Sequence, residues 1–383
     1  MSACDELHSK MEEPIRPLVD VKHAHHLSNW LWIVCGILLS GSVALSKIAL
    51  YLPLTAQAEG RIARIRRWLK NVYVDVWQFY RPLLEKVLQG WQAAEAAVIL
   101  DGVMVFGDRL QIFRLSLRHG SRAIPLSWVV VPGKGLTSVE RLRPLIQRAA
   151  EFLAPRVGAV VFPADRGFRD VEWAALCLEV GWHYVIRLAN NTLITLEDGR
   201  RLSIAAPGVP PGEACYWRNA AITQSQDWPA NLSVTWTKGA RGQAPELLAV
   251  MSDRRACNQR LREYGWRMSI EESFRDDKSG GFDLEHTRLQ DPQRLERLLL
   301  AVAIATLWRH ELGEQALHDH SVQAELDPGG KRRELSIFQL GLRFLRRCLL
   351  ALTTARLPKL RLVLSNLALE PLSPRHLAKE KCQ

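Results

Sequence analysis

Two short apolar runs in this 383-residue chain each end in an aspartate, and this pattern constrains the fold most. Residues 96–100 precede Asp101, and residues 159–164 precede Asp165. A short apolar run of this kind predicts a buried strand. Because ligand crevices in open α/β sheets lie at the carboxyl ends of strands, both aspartates are candidate site residues. Each is also compatible with the simpler role of capping a turn or the next helix.

The order of the surrounding elements predicts an α/β fold with a mixed sheet. Three consecutive strands are expected first, and Asp108 is expected in the turn between the first two. Helices and strands then alternate, which is typical of a sheet with helices packed on it. The predicted strands lie near 97–105, 110–118 and 122–131, then up to 165 and over 183–187, with helices over 138–152 and 171–180.

Four polar side chains further along the chain share one helical stripe. Their successive offsets are 3, 4 and 7 residues, so at about 100° of rotation per residue they fall within about 60°. Residues 261–277 contain no Pro and one Gly, which predicts a single helix. The stripe is equally compatible with a solvated face of ion pairs. It consists of Tyr264, Arg267, Glu271 and Lys278, beside an apolar arc of Trp266, Ile270 and Phe274.

Two of these motifs resemble those of the DDE transposases of insertion sequence family 4. One is Asp165-Arg166-Gly167-Phe168, and the other is the arrangement Tyr-x2-Arg-x3-Glu-x6-Lys formed by the stripe. Residues 270–278 are similar to the Ile-Glu-x2-Phe-Arg-x2-Lys core of that group, and the likeness extends over residues 95–310. The chain departs from the family at Asp101-Gly102-Val103, where members commonly have Asp-x-Thr. A catalytically inactive, DNA-binding relic therefore stays open as an alternative.

The resemblance implies a ribonuclease H-like core and metal-dependent cut-and-paste transposition, with cleavage at terminal inverted repeats followed by strand transfer. It implies that Asp101, Asp165 and Glu271 are catalytic and hold two Mg²⁺ or Mn²⁺ ions. Such ions stabilise the attacking and leaving oxygens of a phosphodiester, and carboxylates are their natural ligands. It further implies a homodimer on double-stranded DNA, with the strand end held by Tyr264, Arg267 and Lys278. A ribonuclease H-like nuclease that cuts without joining is a second alternative.

The charge of the chain agrees with a polyanionic partner without requiring one. The formal net charge is +11 and the pI is about 9.5, values that many other basic proteins share. Residues 61–70 form a basic stretch in which Arg64 and Arg67 are predicted DNA contacts, although a solvated helix face explains them equally well. From residue 321 onward, 12 Lys and Arg stand against 5 Asp and Glu.

The chain divides into five predicted regions. Between residues 189 and 252 its character changes to hairpin signals and short strands, which indicates a strand-rich insertion. The family resemblance suggests that Trp217, Trp228 or Trp236 stacks on a displaced DNA base, but packing within hairpins explains these residues as well. The regions are a helical DNA-binding region (1–93), the first part of the core (94–188), the insertion (189–252), the second part of the core (253–320) and a basic helical region (321–383).

The cysteines and the apolar N-terminal segment bear on the compartment. Seven cysteines without any C-x2-C pair argue against a disulfide framework and a zinc ribbon, and they favour the reducing cytoplasm, here the bacterial nucleoid. Residues 27–46 carry no charge, so a membrane span is one interpretation. The preferred interpretation is two buried helices joined at Gly41, without stable membrane association.

Overall fold

A computed structural model describes most of the chain. Within the basic C-terminal region, residues 330–333, 351–359 and 363–383 lie outside the described part, and so do Ser279 and Gly280 at the predicted helix end. The described residues are 3–20, 24–53, 57–135, 138–205, 208–222, 227–237, 244–278, 281–329, 334–350 and 360–362.

The described residues of the N-terminal region form five helices. The uncharged segment 27–46 divides between the second and third helices at Gly41, whose φ of +64° suits a residue without a Cβ. No helix in the described ranges combines the length and the apolar character needed to cross a bilayer. The helices are α1 (Ala3–Ile15), α2 (Ala24–Ser40), α3 (Leu45–Ala49), α4 (Ala58–Leu69) and α5 (Val76–Val87).

The next five strands form the predicted ribonuclease H-like sheet. Their spatial order is β3-β2-β1-β4-β5, in which β2 is antiparallel to its neighbours, while β4 is parallel to β1 and to β5. Three consecutive strands followed by alternating helices and strands are therefore confirmed. The elements are β1 (Ala93–Val105), β2 (Leu110–His119), β3 (Arg122–Pro132), α6 (Val139–Leu153), β4 (Val157–Ala164), α7 (Val171–Glu179) and β5 (His183–Arg187).

The strand-rich segment extends this sheet to ten strands. The order continues from β5 as β10-β9-β8-β6-β7, so the last strand of the segment joins it to the core. The hairpin signals in this segment correspond to two antiparallel pairs, β6 with β7 and β9 with β10. The strands are β6 (Leu193–Thr195), β7 (Arg201–Ser203), β8 (Ala214–Ile222), β9 (Trp228–Thr237) and β10 (Glu246–Ser252).

The prediction of one helix over residues 261–277 is wrong, because the segment forms two helices. The amides of Trp266 and Arg267 bond to carbonyls three residues back, both at 3.1 Å, so the α-helical ladder is interrupted. Trp266 packs with Ala97 and Val161, whereas Ile270 packs in a different cluster. The helices of this part are α8 (Asn258–Gly265), α9 (Met268–Asp277), α10 (Pro292–His318), α11 (His320–Leu326) and α12 (Ile337–Leu350).

Candidate active site

The two aspartates lie at the same level of two neighbouring parallel strands. Ala97 of β1 is paired with Val161 of β4, and Asp101 and Asp165 each follow that pair by four residues. Asp165 comes directly after the last residue of β4, while β1 continues past Asp101 to pair with β2. Parallel strands are spaced about 4.8 Å apart, so this register places both carboxylates at one edge of the sheet.

Asp101 is largely buried and lies beside an arginine. Its Oδ1 accepts a hydrogen bond from the amide of Gly102 at 2.8 Å, and its Oδ2 accepts one from Arg267 Nη1 at 3.0 Å. Burial raises the pKa of Asp101 to about 6, with Glu271 and Asp165 adding to the rise, while Arg267 and the Gly102 amide oppose it. The other two carboxylates of the predicted set thus act electrostatically on this one.

Asp165 makes a structural and a site contact with the same oxygen. Its Oδ1 accepts from the amide of Arg166 at 2.7 Å, which caps the short 3₁₀ turn Arg166–Phe168. The hydroxyl of Tyr264 donates to that oxygen at 3.3 Å. Asp165 therefore both caps the turn and contacts another residue of the candidate site. Burial raises the pKa of Tyr264, so its hydroxyl stays protonated and able to donate.

Arg267 connects Glu271 to Asp101. It stands at the junction of α8 and α9, and its Nη2 forms a hydrogen-bonded ion pair with Oε1 of Glu271 one turn later. The other end of its guanidinium bonds to Asp101. The structure therefore brings together Asp101, Asp165, Tyr264, Arg267 and Glu271, although two helices, not one, carry the last three.

Lys278 lies further along β1 than the carboxylates. Its Nζ donates to the carbonyl of Met104 at 3.0 Å and forms an ion pair with Glu285 at 3.4 Å. Met104 follows Asp101 by three residues on the same strand. Lys278 therefore adds a positive charge beside the site, toward the end of β1.

Arg187 is a site residue that the sequence reasoning missed. Ala164 is paired with Ile186, so Arg187 at the end of β5 lies level with Asp165. Burial works against its charge, but Tyr264, Glu246 and Asp165 outweigh burial, and the pKa of Arg187 is raised. The sequence does hold one signal for it. The apolar run of β5 ends in Arg187, as the run of β4 ends in Asp165.

Buried ion pairs attach α9 to the sheet and so orient Glu271. Arg114 of β2 pairs with Asp277, and Arg122 of β3 pairs with Asp276 at 2.7 Å. Between them, Ser273 accepts a hydrogen bond from the amide of Ala123 at 2.9 Å. These residues lie on the far half of α9, and they leave Glu271 at the end that faces the aspartates.

The predicted DNA contacts Arg64 and Arg67 lie together in a second place, on α4. Both line a cavity of about 670 Å³ between α2 and the turn after α4, with Lys70 and Tyr73 at its border. Arg64 donates to Asn29 at 2.5 Å, and burial lowers the pKa of Arg64. Arg67 and Lys70 are exposed, and 82% of Tyr73 is exposed.

The three tryptophans of the strand-rich segment are half-buried against the core. Trp228 donates its indole N–H to the hydroxyl of Tyr184 at 3.1 Å, and Trp236 donates to the carbonyl of Val209. Trp217, like the other two, packs against the main hydrophobic core. These contacts match the packing role considered for them.

The donor set at the sheet edge suits a divalent cation. Carboxylate oxygens are hard ligands of the kind that Mg²⁺ and Mn²⁺ prefer. Across the described ranges, no three His, Cys, Asp or Glu side chains lie close enough together to hold an ion. Instead, the guanidinium of Arg267 lies between Asp101 and Glu271. The space between these two carboxylates thus already holds a positive charge. The predicted ligands Asp101, Asp165 and Glu271 would therefore have to come closer together to hold a metal ion.

Comparison with known proteins points to the same part of the chain. Residues 137–308 match a family model described as the transposase DDE domain, a range that contains Asp165 and Glu271 and begins after Asp101. The chain is also similar to a cryo-EM structure of the piggyBac transposase synaptic complex with hairpin DNA, with 10% identity and a TM-score of 0.44. That match covers 93% of this chain and 80% of the other. Comparison with curated proteins gives no significant match.

Proposed function

We propose that this chain is a DNA transposase that cuts a mobile element at its terminal inverted repeats and joins the strand to target DNA. The observation that carries the proposal is that Asp101 and Glu271 converge on Arg267, with Asp165 level with Asp101 on the neighbouring strand. The transposase DDE domain matched by residues 137–308 supports it. By resemblance to insertion sequence family 4, water and then a terminal 3′ hydroxyl are the successive nucleophiles.

The residues of the site divide into anionic and cationic roles. Asp101, Asp165 and Glu271 would hold divalent cations, whose chemistry is to stabilise charge on the attacking and leaving oxygens. Arg267 and Lys278 would bind phosphates of the DNA strand end, the arginine through a fork of two N–H groups and the lysine as a point charge. Tyr264 would donate to the same strand.

The N-terminal cavity would contact the duplex next to the element's end. Arg67 and Lys70 offer exposed cations for phosphates, and Tyr73 offers an exposed ring beside them. Because cut-and-paste transposition acts on both ends of one element, we propose that the protein acts as a homodimer on DNA. The partner ligand is double-stranded DNA that carries the terminal repeats.

Cleavage of labelled linear DNA tests the proposal. The substrate carries the element's own flanking ends, the buffer contains Mg²⁺, and native chain is compared with Glu271→Gln. We expect the native chain to cut at the repeat boundary and the variant to bind without cutting. Glu272→Gln is the matched control, because Glu272 is the adjacent acid on α9 and pairs with Arg275 and Arg122 instead of with Arg267. This control should retain cleavage.

An inactive DNA-binding relic is the second candidate, and one observation favours it. Where family members carry a threonine, Val103 stands in β1 and packs with Ile99 and Ile270, so the hydroxyl is replaced by an apolar contact. Binding without cleavage by the native chain would establish the relic. Cleavage without any joined product would instead establish a ribonuclease H-like nuclease.

A further inference from the structure

The guanidinium of Arg267 is held by both of the acids that frame the site. It bonds to Asp101 at 3.0 Å and to Glu271, and only 12% of its side chain is exposed. Such a forked contact between one arginine and two carboxylates is both strong and directional. One protein cation is thus paired with two of the three acids that would hold a metal ion.

Both carboxylate oxygens of Asp101 accept hydrogen bonds from the protein. Its Oδ1 accepts from the Gly102 amide and its Oδ2 from Arg267, so each oxygen already has a donor. A divalent cation at this place requires the same oxygens, and a guanidinium beside it would repel it. Arginine and metal ion therefore compete for Asp101 and Glu271.

The position of Arg267 in the backbone places its guanidinium beside the ring of Tyr264. It lies in the break between α8 and α9, where its amide bonds to Tyr264 at 3.1 Å, and its guanidinium lies 5.9 Å from the Tyr264 ring. Tyr264 in turn reaches Asp165 at the open edge of the sheet. A phosphate bound beside Tyr264 offers the arginine an anionic partner of the same kind as the two carboxylates.

We infer that Arg267 is an internal counter-ion that occupies the metal position of the DNA-free chain and leaves it when a DNA phosphate binds. The second half of this inference rests on the proposed function. Because Arg267 has a partner in either state, phosphate binding and metal binding are coupled, and each raises the affinity for the other. Without DNA, Asp101 and Glu271 stay paired with Arg267, and the chain binds divalent cations weakly.

Binding of Mn²⁺ alone to the full DNA-free chain tests the first half. Free Mn²⁺ is measured by electron paramagnetic resonance during titration of native chain and of Arg267→Gln. We expect the variant to bind at least about tenfold more tightly, since it lacks the competing charge. Adding Glu271→Gln to that variant should abolish the gain. Arg275→Gln, on the same helix but paired with Glu272, is the matched control and should bind Mn²⁺ as the native chain does.

Arg267→Lys serves as a second variant for the Mn²⁺ titration if the glutamine variant fails to fold. Lysine retains the charge but reaches one carboxylate at a time, so its Mn²⁺ affinity should lie between those of the native chain and the glutamine variant. Mn²⁺ binding no tighter than that of the native chain in a folded variant would overturn the inference. DNA enters in a separate titration, in which a short duplex should raise the Mn²⁺ affinity of native chain but not of Arg267→Gln. Failure of DNA cleavage would overturn the proposed function and leave the DNA-free result standing.

Discussion

Arg114 and Asp277 form an ion pair inside the protein, with only 5% and 4% of their side chains exposed. Arg114 is directly opposite Asp101 in the pairing of β1 with β2, so the two side chains emerge on one face of the sheet. Helix α9 covers that face, and Asp277 lies near its end while Glu271 lies near its start. The buried pair therefore fixes the helix that presents Glu271 to Asp101.

Replacing Asp277 with asparagine should destabilise the chain by about 3–5 kcal/mol, because a buried arginine loses its counter-ion. Chemical denaturation measures the loss, and cleavage of the element's ends should fall with it even where the variant is folded. Arg275→Ala is the control, since its pair with Glu272 is exposed and worth about 0.5 kcal/mol or less. Equal stability of the two variants would contradict the role given to the buried pair.

A side chain at Gly102 should destabilise the chain, because side chains of the neighbouring strand fill the space beside it. A Cβ at this position would meet Gln111 Nε2 and Phe113 Cε1, each at 2.9 Å. We expect Gly102→Ala to destabilise the chain by about 1–3 kcal/mol and to displace Asp101. Gly265→Ala is the control, because nothing lies within 4 Å of its Cβ position and alanine favours the helix. A Gly102→Ala variant as stable as native would refute the steric account.

Much of this fold could be predicted from local sequence, because apolar runs and turn residues act over a few positions. The strand over 183–187 and the turn at Asp108 lie where they were predicted, and the latter residue has a positive φ of 64°. The register of Asp101 with Asp165 follows from two such runs ending alike. These features need no knowledge of what packs on the sheet.

The remaining features depend on contacts between distant segments. No Pro marks the break at Trp266 and Arg267, and packing of Trp266 and Ile270 in different clusters accounts for it. The ion pair of Arg114 with Asp277 spans 163 positions in the chain. Arg187 has no sequence motif of its own, and only the pairing of β5 with β4 brings it to the site.

The raised pKa of Asp101 predicts how stability depends on pH. Burial raises this pKa from 3.8 to about 6, so between these values the folded chain binds a proton that the unfolded chain has lost. The stabilisation from Asp101 is therefore present at low pH and is lost as the pH rises from about 4 through 6. Relative to Asp101→Asn, the native chain should lose about 2–3 kcal/mol over this window.

Urea denaturation of both chains at several pH values checks this result. Comparison with Asp101→Asn is needed because burial also raises the pKa of Asp276 to about 6 and that of Glu311 to about 7. Those groups are common to both chains and cancel in the difference. A difference in the free energy of unfolding that stays constant from pH 4 to 7 would show that Asp101 titrates alike in the folded and unfolded chains.

Arg67 should contribute to DNA affinity through phosphate contact, without regard to base sequence. Any short duplex is therefore a suitable probe, and fluorescence anisotropy at several salt concentrations gives both the affinity and its salt dependence. We expect Arg67→Ala to weaken binding and to reduce the slope of log K against log salt by about 1. Arg81→Ala is the matched control, because Arg81 is also exposed on an N-terminal helix but pairs with Glu85. If both variants changed the slope equally, the effect would reflect overall positive charge, and the cavity beside α4 would not be the DNA contact.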